Sequence, residues 1–281
     1  MKKVSQRTSE IIQSLYASGG FWSALLPGQE SPLWAFEEIA KSVETAAIPH
    51  LASLLLDPRQ DVREAAARTV GALVAALAVE DYAQLDQTTR NEWAYESTAT
   101  SNWRRLRPSD VRRFWQLPSS AATLGLISFH GSGFVREAAV NELANLCDGS
   151  ELPFLLLRLN DWDGTVRESA AVAVLHRIRP DYARHFFRNL WLVDRLKNCG
   201  RSQHMPLVGS ILALLKEPDA VGLLPEGIAS RDRWLRRQSY RLGELSEDGL
   251  TANNNDVVLL GDGAGRSNDM LKLEAPHTRR R

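Results

Sequence analysis

Cysteine is scarce in this chain: 281 residues hold two, Cys147 and Cys199, and neither has a CxxC partner. That excludes a disulfide framework and leaves neutral thiols at helix ends as the expected state. Long apolar runs are missing as well, since none approaches the eighteen or more residues of a membrane span. The opening Met1-Lys2-Lys3 has signal-like charge, yet Val4 to Gln13 is polar and no apolar core of a leader follows. A cytoplasmic protein with no membrane partner is expected. The six histidines, His50, His130, His176, His185, His204 and His277, never pair at an i, i+4 interval or in an HExxH string, so no metal site is expected. Net charge is absent too, 34 basic against 34 acidic side chains, which argues against wholesale wrapping of nucleic acid.

Near its end the chain runs Val257-Val258-Leu259-Leu260-Gly261-Asp262-Gly263-Ala264-Gly265-Arg266-Ser267, a loose likeness to a phosphate loop. The spacing is one residue short, and Arg266 stands where the phosphate-reaching lysine belongs. No nucleotide and no other cofactor is expected. The stretch from 246 to 281, with Asn253-Asn254-Asn255 and a closing Arg279-Arg280-Arg281, has no helical periodicity and reads as a disordered tail or the end of a longer array.

What is abundant is self-similarity. Asp61-Val62-Arg63-Glu64-Ala65-Ala66 returns as Phe134-Val135-Arg136-Glu137-Ala138-Ala139, as Thr165-Val166-Arg167-Glu168-Ser169-Ala170, and in worn form as Trp234-Leu235-Arg236-Arg237-Gln238-Ser239. The match continues upstream, where Leu51, Leu124, Leu155 and Leu224 share one offset. Each copy therefore reads as a helix, a turn and a second helix, a unit that buries its apolar face only against its neighbours. Pro49 and Pro153 open first helices, where a missing N–H costs nothing. Asp57-Pro58 and Asn160-Asp161-Trp162-Asp163-Gly164 break them. Asp61 and Thr165 are the expected N-caps of second helices. Val62, Ala66, Val70 and Leu73 then fall on one stripe, as do Val135, Ala139, Leu143 and Leu146. Between the third and fourth copies, Tyr182 to Leu196 and Pro206 to Leu215 are expected to form one divergent hairpin.

Proline at the head of helix one, an acid in the turn and Val-Arg-x-x-Ala in helix two together resemble the HEAT repeat. The resemblance covers residues 46–245 and implies an all-α solenoid. It further implies a scaffold or adaptor role without catalysis, and a ladder in which Arg63, Arg136, Arg167 and Arg236 bond to turn acids or helix ends. The candidate acids are Asp57, Asp61, Asp161, Asp163 and Asp232. The second unit departs from the pattern, with Gly131-Ser132-Gly133 in place of an acid.

The organisation expected is an N-terminal helical cap over 1–45, the repeat array over 46–245 with an irregular insertion around 79–120, and the tail over 246–281. On the array, second helices line one face, and Glu64, Arg68, Glu137, Asn141 and Glu168 are the residues expected to meet a protein partner. The insertion supports a rival reading. It gathers Trp93, Trp103, Phe114 and Trp115 among arginines, and Arg104, Arg105, Arg112 and Arg113 suit phosphates while Trp103 and Trp115 suit stacked bases. HEAT-like DNA glycosylases give that reading a precedent in fold alone. HEAT-like phycobilin lyases are a weaker precedent, because no suitable Cys, His or acid cluster stands out.

Overall fold

A computed structural model describes residues 3–17, 33–92, 101–231 and 233–244. Among these the regular structure is all helix, sixteen α-helices and several 3-10 turns, and no strand occurs. Two helices, α1 (Gln6–Ala17) and α2 (Leu33–Ser42), precede the repeats, and α2 packs on the first long second helix. Their ends are tied by Glu44, which accepts from the Ser5 amide at 2.7 Å and from Thr8 Oγ1 at 3.0 Å.

The array then unfolds in pairs. The first hairpin joins α3 (Ile48–Leu51) and the 3-10 turn Ala52–Leu56 to α4 (Gln60–Ala75). An irregular stretch follows, with α5 (Asp81–Glu92), α6 (Ser101–Arg104) and a 3-10 helix Pro108–Gln116. Next come α7 (Ser120–Ile127) with α8 (Gly133–Ala144), then α9 (Leu152–Arg158) with α10 (Gly164–Leu175). Helices α11 (Ala183–Arg188) and α12 (Leu190–Arg195) stand before α13 (Met205–Leu214). The short α14 (Pro218–Val221), then α15 (Leu224–Ile228) and α16 (Arg233–Glu244), complete the described chain. Proline sits in the first turn of α3, α9, α13 and α15, as its fixed φ favours. The helix expected over Tyr182–Leu196 is in fact broken at Asn189, whose backbone leaves the helical region and whose side-chain amide donates to the His185 carbonyl at 2.9 Å.

Consecutive pairs stack: α4 packs on α7, α7 on α8, and α8 on α10. Val62, Ala66, Val70 and Leu73 are buried as their stripe requires, and so are Val135, Ala139 and Leu143. The alanines let the helices approach closely. Gly125 does the same on α7, where a Cβ would stand 2.4 Å from the Phe154 ring of α9. Phe154 in turn packs against Tyr82 and Phe129, with ring centroids at 5.4 and 5.9 Å, so three separate stretches of chain share one core.

The cap positions differ from the expected ones. The N-cap of α10 is Asp163, whose Oδ1 accepts from the Thr165 amide at 3.1 Å. Asp61 lies inside the first turn of α4, which Arg59 caps without a side-chain bond. Both helices begin earlier than the repeat motif does: in α10 the loop's Asp163 already satisfies a first-turn amide, and before α4 Asp57 accepts from the Arg59 amide at 2.9 Å.

Candidate functional site

The four repeat arginines share one geometry. Each sends Nη1 back to its own turn, to the carbonyl six residues earlier and, in Arg63, Arg136 and Arg167, also to the one five residues earlier. Arg63 donates to Asp57 O and Pro58 O, both at 2.8 Å; Arg136 to His130 O at 3.1 Å and Gly131 O at 2.9 Å. Arg167 donates to Asp161 O at 2.8 Å and Trp162 O at 3.0 Å, and Arg236 reaches Ser230 O. The guanidinium thus satisfies carbonyls that the end of the first helix leaves without partners. Of the expected acids, Asp161 receives a repeat arginine on its carboxylate, and that arginine is Arg136. Its own turn carries no acid, so its Nε and Nη2 are left to grip the next turn's Asp161 at 3.0 and 2.7 Å. Asp57 bonds Arg59 instead, Asp163 caps α10, and Asp232 lies outside the described residues.

Around Asp161 the protein builds a buried ion cluster. Arg158 Nη1 donates to Asp161 Oδ2 at 3.0 Å and to Ser128 O at 2.8 Å, and its Nη2 reaches Asp86. Arg90 holds Asp86 at 2.8 Å and lies 3.5 Å from Asp161. Three guanidinium groups thus face two carboxylates. Burial pushes the Asp161 carboxyl up, but the bond from Arg136 and the charge of Arg158 outweigh it and hold it below the usual range. The exposed Trp162 ring covers the cluster, with Arg90 and Arg136 carbons 5.6 and 5.8 Å from its centroid. At the opposite ends of the same helices, Glu151 accepts from Arg177 Nε at 2.6 Å and from the Tyr182 hydroxyl at 2.8 Å. Burial and that bond push the Tyr182 phenol up to about 12.

The residues expected to meet a protein lie where the motif puts them, on successive second helices. Glu64 and Arg68 are on α4 and pair loosely at 3.5 Å. Glu137 and Asn141 are on α8, and the Thr165 hydroxyl comes within 3.5 Å of Glu137, which shows how closely α8 and α10 adjoin. Glu168 on α10 is exposed and lines a hollow of about 360 Å³ against α13. Phe134, 75 % exposed, stands in the first turn of α8, and Trp162, 66 % exposed, on the turn before α10.

The Arg–Trp stretch divides in two. Val111 and Phe114 turn into the core, while Arg112, Arg113 and the 37 %-exposed Trp115 line a hollow of about 720 Å³ with Glu142 and Asn145. Arg104 and Arg105 are exposed on and after α6. Trp103 is only 1 % exposed and its ring lies tilted at 45° beside that of His130, centroids 5.7 Å apart. A buried indole has no open face for a base, so Trp103 drops out of the stacking set; its role is to fill the core. Trp93 lies outside the described residues.

A family model for the HEAT repeat matches residues 47–77, which span α3, its 3-10 turn and α4. The chain carries a HEAT repeat there, and its all-α stack of hairpins is that of a HEAT-type solenoid. No curated protein matches the chain. Among the described residues, no group of three or more His, Cys, Asp or Glu side chains is placed to hold a metal ion, and no helix is long and apolar enough to cross a membrane.

Two buried histidines give the fold a pH dependence. Burial lowers the pKa of His130, whose Nε2 bonds Trp103 O and whose Nδ1 accepts from the Ser132 amide, and burial with the nearby Arg167 charge lowers that of His204. Both groups bind a proton more readily in the unfolded chain, whose ordinary value is 6.5. Their contribution is therefore present above that pH and is lost as pH falls through the window below it. Thermal melts should show Tm falling between pH 7 and pH 5, and His130→Gln should flatten that fall. A profile level across the window would contradict the argument.

Proposed function

We propose that the protein is a non-enzymatic protein-interaction scaffold that works in the cytoplasm. HEAT repeats commonly serve as protein-interaction scaffolds. The observation that carries the reading is the row of acids at one motif position, Glu64, Glu137 and Glu168, on three second helices, with Arg68 and Asn141 beside them and Phe134 and Trp162 at its edge. Charged side chains around scattered aromatic anchors are the usual make-up of an interface rim and core. Helices α1 and α2, within residues 1–45, close one end of the array, and the stretch around 79–120 is an irregular insertion in it; residues 246–281, expected as a tail, lie outside the described residues.

Affinity capture from the native cell tests this directly. Wild-type protein should retain a polypeptide partner that the charge reversal Glu64→Lys, Glu137→Lys, Glu168→Lys releases while the variant stays helical. Equal capture by both would sink the assigned face. The hollow beside Pro108–Gln116 favours a second reading, nucleic-acid binding through Arg104, Arg105, Arg112, Arg113 and Trp115, although Glu142 in the same hollow repels phosphate. If that reading holds, changing the four arginines to Ala lowers the log–log salt slope for a single strand by about 0.7 per lost contact. On the scaffold reading, oligonucleotides show no salt-sensitive binding before or after the change. Submicromolar binding at physiological salt, lost in the quadruple variant, would promote the second reading.

A further inference from the structure

A cavity of about 510 Å³ opens away from the ion cluster, where the loop between α8 and α9 meets α11. That volume is within the range of sites that take a small molecule or a single long side chain. Its wall is apolar and aromatic: Val74, Leu77 and Val79 at and beyond the end of α4, with Tyr82 and Phe154 in edge-to-face contact. Its polar end is the loop Asp148-Gly149-Ser150 and the ring of His185.

The loop is built for this position. Gly149 has φ +83, and a Cβ there would stand 2.0 Å from His185 Nδ1, so glycine alone lets the loop close on the ring. Ser119, on the far rim, is also left-handed at φ 54. Asp148 Oδ1 accepts twice from Ser150, from its amide at 2.9 Å and from its hydroxyl. Behind it, fully buried Glu151 gives Oε1 to Arg177 and Tyr182, while its Oε2 has no hydrogen-bond partner. The donors nearby are spent elsewhere. Arg188 and Arg184 turn to Glu226 at 3.6 and 3.3 Å, and the Asn189 amide returns to its own helix. Asp148 is thus the carboxylate that faces the cavity at its polar end, with the His185 ring beside it. Burial pushes the Asp148 carboxyl up, and the bonds from Ser150, with the Glu151 carboxyl and the His185 charge adding to them, bring it below the usual range.

We infer that this cavity receives a lysine side chain of the partner polypeptide, with its ammonium on Asp148 and its methylenes along Tyr82, Phe154 and the α4 wall. An ammonium supplies donors to that carboxylate, and a four-carbon stem suits an apolar passage that ends there. The aromatic walls favour a cation over an anion. Guanidinium is the poorer fit, because Ser150 already occupies Oδ1 and leaves no two-oxygen edge for a fork. The inference rests on the scaffold reading and deepens it by naming what one anchor of the partner is.

The test uses the full chain and NMR titration with Nα-acetyl-lysine N-methylamide, beside the norleucine and glutamate counterparts. The lysine compound should give saturable shifts at residues 148–150 and 185, and neither counterpart should match it. Asp148→Asn should weaken binding about tenfold, as loss of one charged hydrogen bond implies. Ala75→Trp, at an exposed position on the cavity rim, should block it while circular dichroism stays unchanged. No saturable shift, equal binding of norleucine, or indifference to Asp148→Asn would overturn the inference. Should Ala75→Trp lose helix, Asp148→Asn decides alone. Capture through the Glu64, Glu137 and Glu168 face is a separate readout. A captured partner with no lysine binding sinks this inference alone, whereas lysine binding with no captured partner sinks the scaffold reading and with it the assignment of the lysine to a polypeptide partner.

Discussion

Asp161→Ala should destabilise the protein by about 3–5 kcal/mol, the usual cost of removing one partner from a buried ion network. The carboxylate accepts from Arg136 through two nitrogens, from Arg158 through Nη1 and more distantly from Arg90. Its loss leaves three guanidinium groups around Asp86 alone, two of them with almost no access to water. The Asp163 amide, 3.0 Å from Asp161 Oδ1, loses its acceptor as well, which loosens the cap of α10. The damage should spread to α5, because Asp86 and Arg90 are its charged links to the array, beside the apolar contacts of Tyr82 and Leu85. Urea unfolding gives the magnitude, and faster amide exchange over 81–92 gives the route. Asp181→Ala is the control, since the Arg179–Asp181 pair is solvent-exposed and such pairs contribute little. Matching midpoints for the two variants would show that the cluster does not hold the array together.

The repeat was legible in the sequence because its signals are local. A proline, a turn acid and an apolar stripe lie within one hairpin, and their spacing is the helix period itself. The ion cluster was not, because Asp86 and Arg90 reach residues 72 and 71 positions away. No local pattern marks such a pairing. One signal was present: Arg158 interrupts the apolar run from Leu152 to Leu159, and a charge inside a core helix needs a buried partner. The departure of the second unit from the motif also had a reading. A turn without its own acid frees Arg136 to bind the next one. At the Arg–Trp stretch, composition gave one cationic and aromatic patch, while the helix places Trp103, Val111 and Phe114 inward and Arg112, Arg113 and Trp115 outward. Composition has no direction, so the stretch had to be folded before it could be divided. The polar end of the cavity escaped notice for a different reason: Cys147 to Glu151 reads as an ordinary loop until His185 is brought against it.

Leu155→Ala should cost about 2–5 kcal/mol, from lost transfer energy and from the cavity left behind. Leu155 is wholly buried on α9, and that helix packs on α5, α8, α10 and α12. Enclosure on so many sides places the loss toward the upper part of the range, because no single neighbour can move in to fill the hole without leaving its own contacts. Phe154 restricts collapse further, since it is wedged between Tyr82, Phe129 and the backbone at Gly125. Leu175→Ala on α10 is the matched control: the same atoms are removed from a side chain that is half exposed, and surface changes of this kind usually stay within about 0.5 kcal/mol. A solenoid transmits stability only between neighbours, so weakening its middle unit should also broaden the denaturant transition as the flanking hairpins lose their common support. Equal midpoints for Leu155→Ala and Leu175→Ala would mean that α9 is not the central packing element of the stack, whereas a large loss with a sharp transition would mean that the array unfolds as one body.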